Sequence, residues 1–182
     1  RITDGDLTGS TYVFSPDTRQ ILLTTSEGIF LLDSGSFISQ SQRINIDSRV
    51  PSILTQWENE KKIKNDSLVR NLPQEVADLL TRKSKTFTFS PDETMILYTA
   101  SSSGKLPDYL INQLPGSSTQ KQERNVNAGS TYVYDIKEDR NFLITDNEVV
   151  VGEIPNYSLR WMPSSKHILL AQPNQVIIMD YD

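Results

Sequence analysis

Apolar side chains in this chain come in short, dense runs separated by polar turns. Ile21-Leu22-Leu23, Ile29-Phe30-Leu31-Leu32, Ile96-Leu97-Tyr98, Ile168-Leu169-Leu170 and Val176-Ile177-Ile178-Met179 are nearly unbroken rather than alternating. Runs this short, rich in branched and aromatic residues, read as strands. Their lack of alternation reads as strands covered on both faces, as when sheets stack on one another. The runs also recur in a fixed setting. Phe14-Ser15-Pro16-Asp17 precedes Ile21, Phe89-Ser90-Pro91-Asp92 precedes Ile96, and Trp161-Met162-Pro163-Ser164 precedes Ile168, with the aromatic residue seven positions ahead each time. Ile21 and Ile168 are each followed twelve residues later by an aspartate that closes a third run, Asp33 and Asp180. Such fixed spacing marks a repeat.

Each copy reads as strand, turn, strand, strand. In the first, strands are expected over 11–15, 21–25 and 28–33, with Pro16 fixing φ in the turn. In the third they are expected over 158–161, 167–171 and 175–180. The second copy reaches its third run late, because Asp135 of Tyr132-Val133-Tyr134-Asp135 stands 39 residues after Ile96, an insertion of 27 residues relative to the other copies. That stretch, 101–130, is rich in serine and carries Pro107 and Pro115, so a long surface excursion with little core is expected. A fourth strand of the same unit is expected over 141–145.

Residues 48–85 have a different texture. Pro51 suits a first helical turn, after which Ile53, Leu54 and Trp57 share a face, predicting a helix over 51–64. A second helix is predicted over 73–83: Pro73 opens it, Glu75 lies near its positive end, Val76, Leu79 and Leu80 form one stripe, and Arg82 and Lys83 close it.

Four-stranded units opening with an aromatic-Ser-Pro-Asp turn resemble the blades of TolB-type and WD-repeat-like β-propellers. The chain is similar in particular to the propeller-like region of bacterial PEGA-domain-containing proteins. That resemblance rests on Phe89-Ser90-Pro91-Asp92-Glu93-Thr94-Met95-Ile96-Leu97-Tyr98, on Leu114-Pro115-Gly116 with Gln122-Glu123-Arg124, on Tyr132 to Asp139, and on Ile177-Ile178-Met179-Asp180-Tyr181-Asp182. Met162 and Ser164 depart from the repeated pattern. The expected fold is all-β: a partial β-propeller of about three four-stranded antiparallel blades with a short two-helix insertion. The blades are expected at about 9–47, 86–146 with the long loop 101–130, and 157–182, the last cut short. The helical insertion falls at about 48–85. The family's membrane segment and PEGA domain have no counterpart in this chain, so the resemblance implies an anchor outside it and an extracytoplasmic or cell-surface setting. A cytoplasmic one stays open.

Composition narrows the chemistry. The net charge of −5 and the sequence pI near 4.9 disfavour nucleic acid and anionic lipid as partners of the whole surface. No cysteine is present, which removes disulfides and thiolate sites, and a single histidine, His167, removes multi-histidine zinc sites. Asp17 and Asp92 sit where turn aspartates accept backbone amides, and Asp33, Asp135 and Asp180 each end a strand, so all five read as structural. Asp4-Gly5-Asp6 is too short for a calcium loop. A Ser-His-Asp triad through His167 is conceivable, but no Gly-x-Ser-x-Gly elbow exists, and the eight glycines form no phosphate-binding fingerprint. Charges of mixed sign over 58–85 read as a solvated helix face.

An interaction surface is sought instead at Tyr109, Leu110, Ile111 and Leu114, apolar residues in a polar excursion, and at Trp57. Those in the excursion either pin it to the rim or meet a partner. The expected function is a non-enzymatic scaffold for protein or cell-envelope partners, without catalytic residues, cofactor or metal, and without membrane contact of its own. The alternative is the accessory propeller of a hydrolase whose catalytic domain lies elsewhere.

Overall fold

The computed structural model describes residues 1–108, 110–111, 121–146, 150–151, 158–172 and 174–181. The chain divides into two compact units, Arg1–Asp66 and Ser67–Asp182. Both contain antiparallel strands.

The first unit holds an antiparallel meander of β1 (Thr11–Phe14), β2 (Gln20–Thr25) and β3 (Gly28–Asp33). Its unbroken apolar runs are covered on both faces as the pattern requires. Ile21, Leu23, Phe30 and Leu32 pack with Ile2 and Ile38 on one side. Leu22 packs with Ile46, Ile53 and Trp57 on the other. This sheet has three strands, not the expected four. Beside β3 the chain makes only a single bridge, Phe30 to Asn45, and bonds from Ile46 N to the Ile29 carbonyl (2.8 Å) and from Ile29 N to Asp47 Oδ1 (2.9 Å). It then turns into α1 (Val50–Arg70), where Pro51 has no N–H to give a ladder. At the sheet's other edge β1 is exposed along its whole length.

The helix runs six residues past its expected end at Lys64. No glycine or proline interrupts the sequence before Pro73, and Val69 is buried, which anchors the last turn. Leu54 is exposed rather than sharing the buried face of Ile53 and Trp57. The second helix, α2 (Gln74–Arg82), buries Val76, Leu79 and Leu80 as its stripe predicts.

In the second unit β4 (Ser84–Phe89), β5 (Met95–Ala100), β8 (Thr131–Asp135) and β9 (Arg140–Thr145) form a four-stranded antiparallel meander. Between β5 and β8 the excursion contributes a small ladder of β6 (Gly104–Lys105) and β7 (Asn125–Val126). The last sheet comprises β10 (Val150–Val151), β11 (Ser158–Trp161), β12 (His167–Gln172) and β13 (Gln175–Asp180). Its fourth strand is β10, which runs parallel to β11 at the opening edge, so the sheet is mixed rather than purely antiparallel.

The four-stranded meander is buried on both faces. Ile96, Tyr98, Tyr132 and Tyr134 pack under the α2 stripe, with the Tyr98 and Tyr132 rings stacked at 5.5 Å. Met95, Leu97 and Val133 pack on the opposite face against Val151, Leu159 and Ile168 of the last sheet. Two sheets thus lie face to face with a shared apolar core. Leu106 and Val126 are also buried in the α2-side core, which corrects the expectation of an excursion with little core at its two flanks; residues 109 and 112–120 lie outside the described residues.

Candidate functional site

The repeated turns are closed by their own side chains. Ser15 Oγ donates to Asp17 Oδ1 (2.6 Å) and accepts from Gln20 N (2.9 Å), and Asp17 Oδ1 accepts from Arg19 N (3.1 Å). Ser90 and Asp92 repeat this: Ser90 Oγ donates to Asp92 Oδ1 (2.6 Å) and accepts from Met95 N (3.0 Å). The third turn replaces aspartate with Ser164, whose Oγ accepts from Lys166 N at 3.4 Å. In each turn the next residue takes a positive φ, 61° at Thr18, 61° at Glu93 and 60° at Ser165. The Ser15 hydroxyl and then the Arg19 amide hold Asp17 below the usual carboxylate range. At Asp92 burial pulls upward, but the hydrogen bonds from Ser90 and Thr94 outweigh it and the net shift is downward.

The strand-ending aspartates are likewise engaged. Asp33 accepts from Gly35 N (2.7 Å), and Asp135 accepts from Lys137 N (2.8 Å) and Glu138 N (2.9 Å). Desolvation dominates at Asp135 and raises it. Asp180 faces His167 across the β12–β13 ladder, with Oδ1 3.2 Å from Nε2, while His167 Nδ1 lies 3.2 Å from Ser164 Oγ. The structure therefore brings Ser164, His167 and Asp180 side by side, with a hydrogen bond between the first two, a grouping that sequence reasoning considered only in the abstract. Its setting does not suit acyl transfer. Ser164 is exposed, its oxygen serves the turn, and the Asp180 carboxylate is 69% exposed, so water competes for every charge the relay would need to stabilise.

The densest buried polar cluster joins the excursion to the β8–β9 turn. Asp139, fully buried and at φ 51°, accepts from Arg124 Nη1 (2.8 Å) and Tyr134 OH (2.9 Å) at Oδ1, and from Leu110 N (2.6 Å) at Oδ2. Arg124 Nη2 also donates to the Asp139 carbonyl. Beside it Tyr98 OH donates to Asn141 Oδ1 (2.9 Å), and Asn141 Nδ2 donates to the Glu123 carbonyl (2.7 Å). Burial pushes both tyrosine hydroxyls well above the ordinary phenol value, and Asp139 adds to this at Tyr134. The cluster cross-links 110, 124 and 139 through a buried ion pair, so its chemistry is that of a clamp. Nothing in the spacing of Arg124, Asp139 and Tyr134 announces it, because the three meet only once β8 and β9 have paired.

Of the surface residues proposed from sequence, Leu110 is half-buried and packs against the α2-side core, and Ile111 is half-buried with its amide 3.4 Å from Asp139 Oδ2. Tyr109 and Leu114 lie outside the described residues. Trp57 is 6% exposed and belongs to the first unit's core with Ile53, so it offers no surface. Among the described residues no helix is long and apolar enough to cross a membrane, and no three acidic or histidine side chains converge as a metal site. Compared with known families, curated proteins and solved structures, the chain finds no match in any of the three.

Proposed function

We infer that this chain is a run of propeller-like blades acting as a non-enzymatic scaffold for protein or cell-envelope partners. One observation carries the reading: the three strand-turn-strand units share a register. Phe14 pairs with Ile21, Phe89 with Ile96 and Trp161 with Ile168. Each turn has the same backbone closure, from Ser15 N to the Gln20 carbonyl, Ser90 N to Met95 and Met162 N to His167, at 2.8–2.9 Å. Equivalent units that stack sheet on sheet are the building principle of propellers, which hold binding loops on a rigid array.

The resemblance to PEGA-domain-containing proteins supports an extracytoplasmic location. The propeller itself is tested by small-angle scattering and electron microscopy of the chain together with the sequence flanking it in its gene. A disc with a central channel is expected, and an elongated particle would overturn the reading. The non-enzymatic part is tested by His167→Ala, which is expected to leave partner binding unchanged. Hydrolytic turnover lost with that substitution, in a folded protein, would refute it.

A further inference from the structure

Along one side of α2 runs a groove that the core of the second unit leaves open. Glu75, Asp78, Leu79 and Arg82 recur at three- and four-residue steps, so they share one face of the helix. Opposite them stand β6 and its continuation to Pro107, and the two walls enclose about 260 Å³. Leu79 and Leu106, both buried, form an apolar floor. Gly104 keeps one end open: a β-carbon there would stand 3.1 Å from Lys83 Nζ.

The strand wall offers backbone groups. Leu106 N donates to the Arg124 carbonyl (2.9 Å), and β6 pairs with β7 as Gly104 with Val126 and Lys105 with Asn125. Hydrogen-bonded and non-bonded pairs alternate in an antiparallel ladder, so the N–H and C=O of Lys105, which lines the groove, point away from β7. No other described backbone group bonds them. Pro107, the next residue of that parity, has no N–H to give. The free edge is therefore a single residue, enough for one pair of bonds to an incoming extended chain.

The charges select the ligand. Asp78 is engaged twice, by Arg82 Nε (3.6 Å) and by Gln74 Nε2 (3.3 Å). Lys83 and Lys105 are exposed and have no such partner among the described residues. The Gly104 end of the groove thus carries uncompensated positive charge on a chain whose net charge is −5. Complementary charge of this kind steers encounter and chooses the partner more than it adds affinity.

We propose that this groove binds a short, extended, acidic segment of a partner protein, its backbone paired with Lys105 and its carboxylate beside Lys83. The inference rests on the scaffold reading above for the partner's being a protein, and it adds the place and the chemistry of the contact. Residues two apart in an extended chain share a face. The segment therefore carries an acid and, two residues from it, an apolar side chain for the Leu79–Leu106 floor.

Amide NMR titration of the isotope-labelled whole chain tests it. The probe is the N-acetylated, C-amidated peptide Thr-Leu-Thr-Glu-Thr-Leu-Thr, which presents an acid two residues from a leucine in either direction. Saturable shifts are expected at the Gly104, Lys105 and Leu106 amides, with binding that weakens as salt is raised. Lysine in place of the peptide's glutamate, or Lys83→Glu in the protein, weakens binding about tenfold. Lys83→Glu combined with Lys105→Glu inverts the preference between the two peptides. Gly104→Leu fills the groove and abolishes binding, and should it unfold, the charge variants carry the comparison. Lys62→Glu, an exposed residue of α1, changes nothing.

Absence of shifts at millimolar peptide overturns the proposal, as does a doubly substituted protein that keeps its preference for the acidic peptide. Lys62→Glu weakening binding as much as Lys83→Glu also overturns it, pointing to diffuse charge in place of a site. Mass spectrometry of the peptide after titration separates the two readings. An intact peptide that causes no shifts removes the groove and leaves the scaffold standing, whereas a peptide that binds there and is cleaved keeps the groove and refutes the non-enzymatic scaffold.

Discussion

Ser15 and Ser90 do what a backbone carbonyl does elsewhere in a hairpin: each hydroxyl receives the amide that re-enters the sheet. Ser90→Ala leaves the Met95 amide and Asp92 without that partner in a buried turn, and equilibrium urea unfolding is expected to show a loss of about 1–3 kcal/mol. Thr18 presents the opposite case. A β-branched residue at φ 61° is strained, so Thr18→Gly is expected to raise the unfolding free energy read from urea titration, by about 1 kcal/mol at most. Asp135 contributes a pH dependence opposite in sign to that of the lowered turn carboxylates Asp17 and Asp92. Its folded value is raised, so the folded state binds its proton more tightly than the unfolded chain does. Its contribution is therefore full below the ordinary aspartate value and is lost as pH rises through the raised one. Asp135→Asn retains an acceptor for the Lys137 and Glu138 amides and carries no charge. It is expected to be more stable than wild type at neutral pH, with the difference shrinking as denaturation curves are taken to acid. The serine hydroxyls show their role only once the hairpin closes, whereas the aspartate role was visible in the sequence as turn chemistry. The buried Arg124–Asp139 pair was not, because fifteen residues separate its members and a hairpin must form before they meet.

Elements were legible where local signals and burial agree. The α2 stripe of Val76, Leu79 and Leu80 appeared at helical spacing and is the buried face. Leu80→Ala removes side-chain volume from a core that also holds Ile96 and Tyr98, and a cost of about 2–5 kcal/mol by urea unfolding is expected. The end of α1 was misread because the apolar stripe fades after Trp57, while the residue that fixes the last turn, Val69, stands alone in a polar stretch. The short strands β6, β7 and β10 are two residues each, too short for any periodicity; β6 and β7 exist because they pair with each other and β10 because β11 offers it a partner. The exposed β1 was legible as a strand and illegible as an edge: Tyr12, Val13 and Phe14 look like core, and only the pairing order shows that nothing in the described structure covers them.

At the scale of the molecule, each unit has its own cores, and each contains one of the chain's two tryptophans, Trp57 in the first and Trp161 in the second. Single-tryptophan variants, Trp57→Phe and Trp161→Phe, therefore read the units separately. Leu97→Ala is expected to shift the denaturation curve reported by Trp161 further than that reported by Trp57. A double cycle of Leu97→Ala with Ile168→Ala should show coupling through their common core, whereas Leu97→Ala with Leu80→Ala, on opposite faces of one sheet, should be nearly additive. The Asp139 clamp has an engineering consequence. Leu110 and Arg124 are both held to one buried carboxylate, so the sheet is insulated from whatever chain is spliced between residues 111 and 121. Loop closure grows only logarithmically with length, and doubling a tethered segment costs about 0.6 kcal/mol. Residues inserted within that interval are thus expected to cost about this much in urea unfolding so long as Leu110 and Arg124 keep their bonds to Asp139.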